Sequence, residues 1–159
     1  MAVQPITIGI PQGSFGPASL PGFEAAGETF GRGAVLIAAA GLLTEGAADL
    51  VTNILGVAGQ AASGVTSAAM PHFAAHASVI FEANLATAGS LGVYALVATD
   101  MYARYALQRD TSQTPAVWFL DQADTANVAA TIIAFKGEIG DIDARVYFRF
   151  INDTTIYHT

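Results

Sequence analysis

The chain contains no cysteine, which excludes disulfide staples and thiolate metal sites and leaves stability to burial and assembly. Lysine is nearly missing as well: of six basic residues, five are arginine and one, Lys136, is lysine. Against thirteen acidic residues these leave a net charge of −7. That sign opposes counterion release from a phosphate backbone, so no nucleic acid is expected as a partner. Charged residues of either sign make up only 12% of the 159 residues, where a soluble domain carries about 25%. A surface so poor in charge is expected to be covered in part by neighbouring subunits, and the shortage of lysine fits the composition of interfaces.

Apolar residues supply 53% of the chain, enough for one domain with a sizeable core. Residues 50–81 hold no charge at all. They nevertheless carry Asn53, Gln60, Pro71, His72 and His76 among many small residues, unlike the run of about 20 apolar residues that spans a bilayer, so no membrane is expected. The first basic residue is Arg32, and without a basic leader no signal peptide is expected. No fixed-period repeat and no heptad pattern is present.

Four of the six prolines, Pro5, Pro11, Pro17 and Pro21, fall in residues 1–22 among Gly9, Gly13 and Gly16. Proline fixes φ and removes a donor, so this segment reads as an extended arm, able to reach about 70 Å when fully stretched. Ile6, Ile8 and Ile10 alternate as in an added strand, and Phe15 and Leu20 are too apolar for a solvated tail. The arm is expected to lie on a neighbour, and its removal to leave residues 23–159 folded.

Those residues read as one β-rich domain, divisible into sub-lobes 23–66 and 77–159. The fold class is mainly β: a small antiparallel β-barrel or sandwich with one short helix and the extended N-terminal arm. Strands are expected at 34–39, 41–44, 53–59, 78–84, 104–108, 116–120, 128–136 and 144–151, with turn clusters at 110–115, 121–127 and 137–143. Residues 61–77 read as a connection. Thr99 or Asp100 is expected to cap a short helix through Met101, Tyr102 and Ala103. In the last strand Val146, Phe148 and Phe150 share a core face, while Arg145, Tyr147 and Arg149 share the other. These three are of interface-prone types, and their partner is a sister subunit, an assembly lattice or the chain's own N-terminal arm.

No reaction is legible. Asp121, Asp124 and Asn127, or Glu138, Asp141 and Asp143, offer oxygen ligands without EF-hand spacing, and such residues more often hold tight turns. His72 and His76 stand four apart, with His158 or a distant carboxylate needed to complete a zinc site, and they read instead as polar members of a low-charge strip. Ser14, Ser63 and Ser90 lie in no nucleophile elbow, and Lys136 belongs to no phosphate loop. Trp118, Phe119, Tyr102, Tyr105 and Tyr147 could line a sugar platform, but adjacent Trp118 and Phe119 point to opposite faces of a strand, and core packing is the better reading. Neither an enzyme nor a cofactor is expected. An interface enzyme would need a pocket joining His72 or His76 to a carboxylate.

The phrases GETFGRGAVL (27–36), GLLTEGAAD (41–49) and NILGVAG (53–59), followed by WFLDQADT (118–125) and IIAFKGEIGDIDARVYFRFIND (132–153), resemble the head decoration or cement proteins of tailed bacteriophages. The resemblance implies a structural virion protein on the outer capsid surface that binds the major capsid protein and its own copies, with a trimer favoured. A carbohydrate-binding β-module of a phage tail or secreted protein is the alternative, to be distinguished by solvent-facing aromatics beside a polar cluster.

Overall fold

The computed structural model of the protein describes residues 3–9, 18–50 and 52–156. Ile10, Ser14, Phe15 and His158 lie outside the described residues. Among the described residues ten strands follow one another: β1 (Thr7–Ile8), β2 (Val35–Ala39), β3 (Leu42–Glu45), β4 (Ile54–Ala58), β5 (His72–Ala74), β6 (Phe81–Ala86), β7 (Arg104–Asp110), β8 (Val117–Asp121), β9 (Ala130–Phe135) and β10 (Arg145–Phe150).

The chain is mainly β and contains a closed five-stranded barrel in the order β6-β10-β9-β7-β8. Pairing around the barrel is antiparallel except where β8 returns to β6, with Leu85 opposite Leu120 and Ala86 opposite Asp121 in parallel. That closure removes both barrel edges. β1 adds to the other half of the same edge of β6, with Thr7 opposite Glu82 and Ile8 opposite Phe81.

The remaining strands form a sheet in the order β3-β2-β4-β5. Residues 18–25 strap its two edges together: Leu20 bridges to His72 on β5, Phe23 to Ala69, and Glu24 to Leu43 on β3. Gly56 is essential to the packing of β4 on β5, because a Cβ there would lie 2.3 Å from the Phe73 carbonyl oxygen. The β2–β3 hairpin turns at Ala40 and Gly41, whose φ angles of 51° and 81° are the positive values of a type I′ turn.

One core runs through both sheets, joining Val35, Leu36, Ile54 and Met70 to Phe81, Leu107, Trp118 and Phe148. In β10 the expected alternation holds: Val146, Phe148 and Phe150 are buried. Phe81, Phe148 and Phe150 pack as a triad with ring centroids 5.1–5.8 Å apart.

Three expectations need correction. The connection expected at 61–77 contains β5, because pairing with β4 overrides the weak strand preference of an Ala- and Ser-rich sequence. The short helix through Met101, Tyr102 and Ala103 is absent; a 3₁₀ turn at Ala98–Asp100 stands before it. The Asp100 carboxylate turns back to accept the Val97 amide at 2.9 Å, so it cannot cap a helix that follows. The described parts of the arm lie on this chain, with Val3 and Ile6 buried in its own packing.

Replacing Phe148 by Ala is expected to lower the unfolding free energy by about 3–5 kcal/mol, the range for a fully buried aromatic, as measured by urea denaturation at neutral pH.

Candidate functional sites

Glu82 stands alone in the charge-poor strand β6, and the barrel places it beneath the N-terminal segment. Burial is the largest influence on its carboxyl and works to raise its pKa, but hydrogen bonds and charges from Arg145 and Lys136 outweigh it and hold the group below the ordinary glutamate value. Arg145 Nε donates to Glu82 Oε1 at 2.7 Å, and Lys136 Nζ lies 3.0 Å from both carboxylate oxygens.

The rest of the Arg145 guanidinium is committed to the arm and its surroundings. Nη1 donates to the carbonyls of Gln4 and Pro5 at 3.2 and 3.1 Å and to Asn84 Oδ1 at 3.2 Å. Nη2 donates to Thr7 Oγ1 and to the Glu82 carbonyl. Asn84 also accepts the Gln4 amide at 2.9 Å. Of the three partners the sequence left open for Arg145, the structure selects the chain's own N-terminal segment. Ile6 is core, Ile8 is half-buried in β1, and the Tyr147 ring packs where a Cβ on Gly9 would stand. Among the described residues of the expected interface set, Arg149 alone is left exposed.

A second clasp joins the four-stranded sheet to the barrel. Glu45 accepts Trp118 Nε1 at 2.7 Å and Arg109 Nη1 at 3.2 Å, with Arg109 5.6 Å from the centre of the Trp118 ring. Trp118 therefore faces the main core and Phe119 a small cluster with Val3 and Ala86, which leaves neither for a sugar platform. Tyr105 is buried too, donating to Asp100 at 2.7 Å beside Tyr94. Burial, with the Asp100 carboxylate, pushes the Tyr94 hydroxyl up to about 12.

The acidic loops act as turn locks. Asp121 accepts the amides of Ala88 and Ala123, and Asp124 accepts those of Ala126 and Asn127. Asp141 accepts the Glu138 amide, while Asp143 accepts Gly92 and Tyr94. No group of three metal-ligating side chains comes together among the described residues. His72 is buried on β5 and His76 is exposed beyond it, 2.7 Å from Ser78 Oγ, so a strand replaces the helix that would align them. Ser63 donates to Glu24, a carboxylate that also holds the Val65 amide.

The four-stranded sheet carries a groove of about 480 Å³. Leu20, Pro21, Phe23, Ala38, Leu43 and Leu55 line it with His72, and among the described residues no carboxylate lines it. Leu20 and Phe23 are 38% and 55% exposed. Their placement in one groove with Ala38 and Gly41 escapes sequence reading because it depends on the strap across the sheet. Glu82 did leave a signal, as the first charge after the uncharged stretch 50–81.

Because the folded Glu82 pKa is lowered, its contribution to stability is present above pH 4.5, the ordinary value, and is lost as pH falls through the folded value. Thermal melts across the acid range are expected to show this loss, and Glu82→Gln to flatten it. Arg145→Ala is expected to cost about 3 kcal/mol, the lower end for breaking a buried pair because Lys136 remains. Hydrogen exchange at the Gly9 amide should accelerate in that variant, and deletion of residues 1–9 should destabilise the domain.

No known protein family, characterised protein or solved structure matches this chain.

Proposed function

We propose that this chain is a structural virion protein that decorates and cements the outer surface of a tailed-phage capsid, binding major capsid subunits and its own copies, with a trimer favoured. The observation that carries this reading is the uncharged face of the four-stranded sheet. Leu20, Pro21 and Phe23 line the groove together with the exposed hairpin residues Ala38 and Gly41, and among the described residues no charged side chain lines it. An exposed apolar face of this kind suits contact with another protein.

The hairpin tip supports the same reading. Type I′ turns favour Asn, Asp or Gly at both central positions, because an L-residue with a side chain costs roughly 1–2 kcal/mol in the left-handed region. Ala40 occupies such a position at φ 51°. A small apolar residue there keeps the tip dry where a polar one would carry water into a contact.

The reading predicts that the gene for this chain lies beside one for a major capsid protein and that heads assembled from that protein bind the purified chain. Phe23→Asp should lower head occupancy by about tenfold or more while leaving the melting temperature close to wild type, since the ring is mainly exposed. Ala40→Asn should raise the unfolding free energy by about 0.5–1 kcal/mol through relief of the turn, yet also lower occupancy. Heads that fail to bind the wild-type chain would overturn the proposal.

A further inference from the structure

Six cations serve this chain, and three of them are engaged: Arg109 with Glu45, and Lys136 and Arg145 with Glu82. Arg32, Arg104 and Arg149 form no salt bridge among the described residues. Arg32 stands alone in the loop before β2. Arg104 and Arg149 are brought together by register, for Thr131 on β9 is opposite Arg104 on β7 and also opposite Arg149 on β10.

Residues directly opposite in antiparallel strands point to the same face, so the three side chains form a row across the outside of the barrel. Two strand spacings separate the arginine backbones by about 10 Å. Both arginines are exposed, and half-buried Thr131 is the residue opposite each of them. In a chain of net charge −7, this places two free guanidinium groups side by side, with no carboxylate from β7, β9 or β10 paired to either.

A fourth residue adjoins the row. Tyr102 donates its backbone amide to the Ile132 carbonyl, next to Thr131, and its side chain is 73% exposed. Its φ of 64° is the left-handed conformation, which bulky residues rarely adopt. Such strain at an exposed aromatic points to a use outside the folded core. Tyrosine and arginine are also the residue types that dominate binding energy at protein interfaces.

We propose that Arg104 and Arg149, with Tyr102 beside them, form a docking surface for an acidic segment of a partner protein. Alternate side chains of an extended segment lie on one face about 7 Å apart, so two carboxylates can each meet one flexible guanidinium in a bidentate pair while Tyr102 covers the contact. Capture of an acidic segment by an acidic protein requires a local site, since the overall charge opposes it. The surface lies on the barrel, away from the uncharged groove, and stands whether or not the partner is a capsid protein.

The test is fluorescence anisotropy of a labelled short peptide of alternating Glu and Thr, titrated with the full chain at low salt. Saturable binding that weakens as salt rises is expected. The Arg104→Ala/Arg149→Ala double variant should bind about tenfold or more weakly, and Arg32→Ala like wild type. Circular dichroism melts check that each variant is folded, and Arg104→Lys/Arg149→Lys, which keeps charge but loses the bidentate fork, should fall between the two. Equal binding by wild type and the double variant overturns the proposal. So does displacement of the peptide by inorganic phosphate at matched concentration, which would make the row a simple anion site. Sedimentation showing a wild-type oligomer that the double variant dissolves would assign the row to a second copy instead, and would equally overturn it.

Discussion

A buried carboxylate must be satisfied, and Glu82 imposes that requirement on the strand that sits at the junction of the molecule. β6 carries β10 on one side, with β1 and β8 sharing the other. Glu82 recruits Arg145 from β10, and Arg145 in turn holds the backbone of residues 4 and 5 and the side chain of Thr7. The arm is thereby a structural part of the barrel wall. Leaving that carboxylate unpaired would cost more than any single surface contact on this protein contributes.

The same economy of charge organises the rest. With few cations available, each engaged one does more than neutralise an acid. Arg109 and Glu45 join the two sheets through Trp118, and Lys136 closes the Glu82 pair from the β9 side. What remains is sorted by face: an uncharged groove on the four-stranded sheet, and a pair of unengaged arginines on the barrel exterior. Two chemically different surfaces on one small protein are what the proposed cementing role would use.

Much of the fold was legible in local pattern. Seven of the eight expected strands coincide closely with observed ones, and the eighth, 78–84, is shifted toward Phe81–Ala86. Period-two alternation and β-branched or aromatic residues mark a pleated, half-buried surface wherever it occurs. β5 was not legible, because HFA within an Ala- and Ser-rich stretch has no strand signal of its own; it pairs because Gly56 lets β4 approach. The Met101–Ala103 helix failed for a related reason, since the cap residue Asp100 is claimed by Val97, Tyr94 and Tyr105.

The candidate site was less legible. Residue types and their local spacing determined that the molecule is charge-poor, acidic, without cysteine chemistry, and built of strands with Val146, Phe148 and Phe150 inside, because those properties depend on residue type and on spacing along one strand. Tertiary structure decided which polar residues are spent internally and which stay free. Arg145 and Arg149 lie on one face of one strand and read alike in sequence, yet one is consumed by Glu82 and the arm while the other stands open beside Arg104. That distinction depends on strand register and on partners 63 and 141 residues away along the chain, which no local pattern encodes.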